Sequence, residues 1–353
     1  MNSSTQAKPR TVRATLLSLL LLVLLAAAMV ASAMTGQLHI SPAEVFGALF
    51  HNLGATWLPL PEHPAGYETL WSVRFPRLVM AALVGGALAL SGLLMQAIFG
   101  NPLAEPGIVG VSSGAALGAG ACIVLGFTFL GSWTITLFAF TAGLLATLLV
   151  YVMSRSGGKT EVVTLVLTGI AVNAVCGAGI AFLTYLGDTA SREQLVFWQL
   201  GSIAGSRWNQ IGIALPILAA ALCCVFFIAK KLDLLSLGER NARHLGVNVE
   251  ALRIVAIVLV ALVVGVAVAF TGIIGFVGLV VPHLMRMILG PAHLPLVITS
   301  TIGGALLLTL ADLAARTLVP LTDLPIGMLT SLLGGPFFFW LLRRTRKHAG
   351  GWG

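Results

Sequence analysis

Ten runs of about twenty apolar residues, separated by short polar gaps, constrain this chain more than any other feature of its sequence. A bilayer core of about 30 Å is crossed by about 20 residues of helix, at about 1.5 Å rise per residue. Composition agrees, with 58% hydrophobic and only 9% charged residues, against about 25% charged in a soluble domain. Lipid must therefore solvate most of the chain. The pattern predicts an all-α polytopic membrane protein, one transmembrane domain over 1–353, with spans at 14–34, 76–99, 107–126, 131–153, 161–186, 207–229, 252–272, 274–290, 295–318 and 326–342. The apolar stretch 194–206 allows the sixth span an earlier start.

The N-terminal basic residues and the run to Met34 resemble a secretory signal, and Ala31-Ser32-Ala33 resembles a cleavage site. The run is longer than the roughly 7–15 residues of a signal core, so it is expected to be the first helix. The segment 35–73, with Pro42, Pro59, Pro61 and Pro64, is expected to be an extramembrane loop with some short helix.

The formal charge of +8 does not indicate nucleic acid, because the basic residues sit in short gaps between apolar runs. Ten crossings put both termini on one side. With them lie Lys8, Arg10, Arg13, Arg155, Lys159, Lys230, Lys231, Arg240, Arg243, Arg253, Arg286, Arg343, Arg344, Arg346 and Lys347, which is 15 of the 20 Lys and Arg. Basic residues favour the cytoplasmic side, so both termini are expected there. Arg74, Arg77, Arg192, Arg207 and Arg316 fall on the other side, against the bias.

A shift of 180 residues pairs Gly85 with Gly265, Ala87 with Ala267, Ala89 with Ala269, Ser91 with Thr271, Gly92 with Gly272 and Pro102 with Pro282. Copies starting at spans two and seven are five crossings apart, so the second would be inverted, an architecture common in transporters. The 40 glycines suit close helix approach. Pro102, Pro106, Pro282 and Pro336 predict breaks or starts of helices near membrane depth, where irregular backbone has to be buried in protein or line a path.

Ser156-Gly157-Gly158-Lys159-Thr160 has the end of a phosphate-binding loop but carries Met153 where that loop needs glycine, and it follows a membrane span rather than a strand. Nucleotide binding and an internal ATPase are excluded on that ground. Gly238, Glu239, Arg240, Asn241, Ala242, Arg243, His244, Leu245 and Gly246 form a polar stretch that suits a short amphipathic helix ended by Gly246. It is either a solvated connector or a docking helix for a soluble motor. Arg74, Arg77 and Arg316 either snorkel to lipid headgroups or receive carboxylates from a docking partner. Asp312 is the one acidic residue well inside a span, four residues before Arg316, at the spacing of a local ion pair. The structural reading is preferred for it. The four cysteines lie inside apolar runs, as small buried residues do, and neither they nor His39, His51, His63 and His283 have metal-site spacing. No metal, catalytic residue or cofactor of its own is assigned.

These residues carry a resemblance. Arg74-Phe75-Pro76-Arg77, Gly92-Leu93-Leu94-Met95-Gln96, Asn101-Pro102-Leu103-Ala104-Glu105-Pro106-Gly107 and Gly110-Val111-Ser112-Ser113-Gly114 are followed in order by Phe197-Trp198, Gly201-Ser202, Gly238-Glu239 and Leu245-Gly246. Gly275 to His283, Ala311-Asp312 and Leu324-Pro325-Ile326-Gly327 complete the set. From about Arg74 to Leu342 the chain resembles the FecCD family of type II ABC importer permeases, which import cobalamin, ferric siderophores and haem, and it looks closest to the haem branch. The resemblance implies a homodimer in a bacterial inner membrane, two cytoplasmic ATPase subunits that bind ATP and Mg, and a periplasmic substrate-binding protein. Gly238, Glu239, Ala242, Arg243, Leu245 and Gly246 match the coupling helix that seats in the ATPase. Arg74, Arg77 and Arg316 match the arginines that receive acidic residues of the binding protein. The inner gate of the family lies between helices four and five, here around Lys159, Thr160, Val162, Val163 and Thr164. The cobalamin member carries a Thr-Ser pair where this chain aligns Val162 and Val163, so the gate chemistry does not carry over. In the family the path is lined by the fifth and tenth helices. Here those residues are mostly small and apolar, which suits a bulky, partly hydrophobic ligand such as haem, with a ferric siderophore or cobalamin as alternatives.

Two other classes are weaker fits. An ion-coupled transporter needs paired membrane carboxylates, and only Asp312 is available. A membrane enzyme needs a convergent acid, base or nucleophile, and the sequence offers none. The charge bias makes a direct prediction. Cysteine tags near Arg10, Lys159 and Arg346 are protected from an impermeant reagent in intact cells, and a tag near His63 reacts. Labelling of the Lys159 tag from outside would overturn the topology.

Overall fold

The computed structural model describes residues 10–52, 54, 57–156, 159–319 and 322–348. Lys8, Gly157 and Gly158, named above, lie outside the described residues. Helix α1 (Arg10–Met34) is followed by α2 (Pro42–His51), by α3 (Gly66–Thr69) with a π turn at Leu70–Arg74, and by α4 (Phe75–Phe99). A 3-10 turn at Pro106–Val109 leads into α5 (Val111–Val124), then α6 (Trp133–Met153). Strands β1 (Arg155–Ser156) and β2 (Lys159–Thr160) form a small hairpin before α7 (Val162–Leu186). The chain continues through α8 (Thr189–Leu200), α9 (Trp208–Leu235), α10 (Glu239–His244), α11 (Val249–Thr271), α12 (Val277–Leu289), α13 (His293–Thr317) and α14 (Ile326–His348). Among the described residues, seven helices are long and apolar enough to cross a bilayer, and Val111–Val124, Val277–Leu289 and Ile326–Trp340 are shorter apolar helices. Seven and three make the ten predicted segments.

The bundle is layered around α4. Helices α4, α11 and α13 bury most of their length, whereas α1, α6, α7 and α9 bury less than a third. Those outer helices leave residues such as Leu20, Leu145, Val163, Phe182 and Phe227 exposed, the surface lipid or a second chain covers. Backbone contact holds the centre. A Cβ on Gly85 of α4 would stand 2.2 Å from the carbonyl oxygen of Gly304 in α13, and one on Gly304 would stand 2.2 Å from that of Gly85. At Gly92 a Cβ would lie 1.8 Å from the carbonyl oxygen of Gly278 at the start of α12. Only glycine permits such approaches.

Two expected spans are interrupted. The third span was expected over 107–126, but Gly110, with φ of 79°, separates the 3-10 turn from α5. The eighth begins only at Val277, after Phe276 with φ of 67°. Helices α5 and α12, of 14 and 13 residues, rise only about 20 Å each. The irregular segments before them make up part of the crossing. They meet inside the protein, where the Phe276 N–H donates to Glu105 Oε1 at 3.1 Å. Gln96 Nε2 donates to the Leu279 carbonyl at 3.2 Å. Buried irregular backbone is thus satisfied by side chains, as a low-dielectric setting demands.

The sixth span does not start early. The stretch 194–206 divides between α8 and a loop from Gly201, whose φ of 71° ends the helix. Ser202 N–H donates to the Thr271 carbonyl at 2.7 Å and Ile326 N–H to that of Gly201 at 3.1 Å, so this loop ties α11 to α14. Cys223 and Cys224 are exposed on α9 rather than buried, whereas Cys122 and Cys176 are buried. The loop after α1 is a packed cap rather than loose chain. Ser41 and Glu44 form a capping box on α2, and Ile40, Val45, Ala48, Leu70, Phe75 and Leu78 form its apolar core.

The repeat survives in element order but not in its ungapped register. Helix α4 packs against α12 and α13, and α11 packs against α5 and α6. That reciprocity is what equivalent quartets α4–α7 and α11–α14 produce. The 180-residue shift, however, pairs Pro102 between elements with Pro282 inside α12, and mid-helix Gly92 with the terminal Gly272. The matched glycines meet different surroundings, since Gly85 lies against the Gly304 carbonyl, Gly265 against the Phe140 ring, and Gly272 ends α11 at positive φ.

Candidate functional site

The three arginines singled out in the sequence converge at one end of the bundle. Arg74 closes the π turn, Arg77 lies one helical turn later in α4, and Arg316 lies near the end of α13. The antiparallel register of α4 and α13 brings them together, because Arg77 and Asp312 stand eight residues from Gly85 and Gly304 respectively (85−77 and 312−304). Eight residues are about 12 Å of helix, so the glycine contact places these two side chains at one level.

Arg77 Nε donates to Asp312 Oδ1 at 2.9 Å, and its Nη1 donates to Asp323 Oδ2 at 2.7 Å. Arg316 Nε lies 3.4 Å from Asp312 Oδ2. Asp312 thus takes a distant partner, Arg77, as well as the local one its spacing predicted. Arg316 also donates to the carbonyls of Thr35 and Ser32, each at 3.1 Å, and to the Ser32 hydroxyl. Arg74 donates to the carbonyls of Ala33 and Leu38. The stretch that resembled a cleavage site, Ala31 to Ala33, is therefore built into the arginine cluster at the end of α1. All three guanidinium groups are largely buried, yet a cavity of about 680 Å³ opens on them, lined also by Thr35, Gln37, Thr322 and Asp323. Burial and pairing hold all three arginines to the protein itself. The sequence reading missed Asp323 and Ser32, which lie 246 residues from Arg77 and 284 from Arg316 in the chain.

A second polar system joins α10, α11 and the hairpin. The stretch expected to form an amphipathic helix does so as α10, with Gly238 and Gly246 at positive φ around it. Ala242 is fully buried and faces inward, while Leu237 and Leu245 are exposed on either side. Glu239 pairs with Arg243 at 3.1 Å and with Arg253 of α11. Arg253 is buried and its Nη1 donates to the Thr160 carbonyl at 3.0 Å. Thr160 in turn donates from its N–H to Glu250 Oε2 at 3.0 Å and from its hydroxyl to Glu250 Oε1 at 2.6 Å. Of the residues expected in the gate region, Thr160 is buried in this network, Val163 is exposed at the start of α7, and Thr164 bonds Glu161 at 3.0 Å. Val162 opens α7, and Lys159 lies on β2 opposite Ser156. Glu250 and Arg253 were not singled out from the sequence, because a polar pair at a helix start carries no mark of its distant partner.

The FecCD transport family model matches residues 21–344. The chain belongs to that family. It is 42% identical over 286 residues to the hemin transport system permease protein HmuU of Yersinia pestis, covering 80% of this chain and 85% of the relative. It is 39% identical over 295 residues to the vitamin B12 import system permease protein BtuC of Klebsiella pneumoniae, covering 83% and 88%. Its fold matches a solved inward-facing conformation of a metal-chelate type ABC transporter with a TM-score of 0.81 and 32% identity, over 93% of this chain and 98% of that one. The α-helical polytopic architecture predicted from the apolar runs is that of this FecCD permease.

The network around Thr160 yields a prediction. Glu250→Ala leaves the Thr160 N–H and hydroxyl without their acceptor, and a hydrogen bond to a charged group contributes about 1.5–3 kcal/mol. Hydrogen–deuterium exchange mass spectrometry on the peptide covering 154–162 is expected to show exchange at Thr160 accelerated by about tenfold or more. Exchange unchanged from wild type would mean that Glu250 does not hold the hairpin.

Proposed function

We propose that this FecCD permease is the membrane subunit of an ATP-binding cassette importer that moves an iron chelate, haem in preference, from periplasm to cytoplasm by alternating access. Two copies pair in a bacterial inner membrane with both termini cytoplasmic. Two separate ATPase subunits hydrolyse ATP with Mg, and a periplasmic binding protein delivers the cargo. The observation that carries the reading is the convergence of Arg74, Arg77 and Arg316 on one open cavity at the end of the bundle. Such a cluster suits capture of a partner's carboxylates.

Other features support the same assignment. Helix α10 is flanked by two exposed leucines, Leu237 and Leu245, a fit for a socket on a soluble motor. Its link through Arg253 to Thr160 gives it a connection to the chain just before α7. Gly238, Glu239, Arg243 and Gly246 shape and position that helix, and Ala242 seats it on the bundle. The exposed apolar face of α7, including Val163, Leu167 and Val175, suits cover by a second copy or by lipid. Haem is preferred over cobalamin because the hemin permease relative is somewhat more similar than the vitamin B12 one. Asp312, held between Arg77 and Arg316, serves structure rather than ion coupling.

Two measurements test the reading. Proteoliposomes holding the permease–ATPase complex are expected to accumulate haem, rather than cyanocobalamin or a ferric siderophore, on addition of ATP and the haem-loaded cognate binding protein. Arg74→Gln and Arg316→Gln are expected to weaken docking of that protein by about tenfold or more, since removing one side of a buried charged contact costs about 2–5 kcal/mol. They are preferable to charge reversal at Arg77, which would set a third carboxylate beside Asp312 and Asp323. Unchanged docking in both variants would remove the arginines from the interface, and uptake of cobalamin alone would reassign the cargo.

A further inference from the structure

Arg77 is held between two carboxylates of different character. Asp312 has a side chain 1% exposed, and it sits inside α13. Asp323 has a side chain 47% exposed and lies in the segment between α13 and α14, at the rim of the cavity. Among the described residues, Arg74 has only carbonyl partners, from Ala33 and Leu38. Three guanidinium groups there face two carboxylates, and the cluster of described residues keeps one uncompensated positive charge.

A carboxylate entering the cavity from a docking partner meets this arrangement. It cannot replace Asp312 without stranding a buried charge, which is strongly unfavourable. It can replace Asp323, whose carboxylate returns to water at little cost because it is already half exposed. Rim charges of this kind set register and association rate more than bulk affinity.

We propose that Asp323 is a resident counter-ion, which occupies Nη1 of Arg77 in the undocked permease and yields that position to an acidic side chain of the binding protein. The proposal rests on the docking reading above and adds a mechanism to it. Docking becomes an exchange of ion pairs rather than the formation of a new one. The exchange keeps the buried guanidinium satisfied when no partner is present. It also limits affinity, which suits a partner that has to leave after each delivery.

The same geometry would arise if Asp323 merely pinned the segment between α13 and α14, and the two roles give opposite signs. Asp323→Asn keeps the side-chain shape and an acceptor oxygen while raising the cluster's net charge from +1 to +2. Docking of the cognate binding protein to the detergent-solubilised permease–ATPase complex is measured at low and high salt. A resident counter-ion predicts docking tighter by roughly threefold to tenfold at low salt, with a steeper loss as salt rises. Docking that is weaker or unchanged, with an unchanged salt slope, overturns the proposal. Asp323→Ser, which has a shorter side chain and no charge, must move docking in the same direction; a fall in both variants identifies a pin. Arg74→Gln and Arg316→Gln measured alongside separate the two failures. If they lower docking while Asp323→Asn does not raise it, the site stands and the exchange is wrong. If no arginine variant matters, the docking site itself is wrong.

Discussion

Backbone contact between α4 and α13 at Gly85 and Gly304 sets the geometry on which the arginine cluster depends. Each glycine lies against the other's carbonyl oxygen, at a distance no side chain would tolerate. That contact fixes both spacing and register. Eight residues along each helix it brings Arg77 to Asp312, and one turn further along α13 it brings in Arg316. A third and a fourth ligand for these arginines come from the end of α1 and from the segment before α14. Charge is thus assembled from α4, from α13 and from the segment that follows it, with neutral acceptors from residues 32–38, by an apolar packing constraint. A buried ion pair contributes little net stability once desolvation is counted, so packing holds the charges in place and not the reverse.

The two polar systems sit in different chain environments and do different work. The arginine cluster opens on a cavity of about 680 Å³ and, among the described residues, holds more guanidinium groups than carboxylates. The network of Glu239, Arg253, Glu250 and Thr160 is closed on itself, with Arg253 and Thr160 buried, which makes it a brace between α10 and the hairpin. One leaves charge open at a cavity, and the other connects α10 to the chain that leads into α7.

Much of this was legible in the sequence, for physical reasons. Long apolar runs announce themselves because lipid demands about 20 residues per crossing. Arginines lying against the charge bias drew attention because the bias makes them costly. The short helix ended by Gly246 followed from capping chemistry. What stayed hidden depends on long-range contact or on backbone sign. Nothing in the run 107–126 showed that Gly110 would adopt positive φ and split it, nor that Phe276 would do so before α12. Asp323 and Glu250 carried no mark in the sequence, and Glu105 stood there only as part of a motif. Each acquires its role from a partner more than 80 residues away. The glycine repeat misled in register because glycine is called for by different needs, a backbone contact at Gly92 and a positive-φ helix end at Gly272.

The account stands on the α4–α13 contact, and Gly304→Ala tests it most directly. The added methyl lies deep in the bundle, about 12 Å from Asp312 along the helix, and presses on the Gly85 carbonyl of α4 rather than on the arginines. Docking affinity of the cognate binding protein and the melting temperature of the solubilised permease are measured together with association of the ATPase subunits. The account predicts that separating the helices lowers both the melting temperature and docking, while ATPase association at the inner face persists. Wild-type docking at an unchanged melting temperature would contradict it, because the arginine cluster would then be placed by something other than this contact.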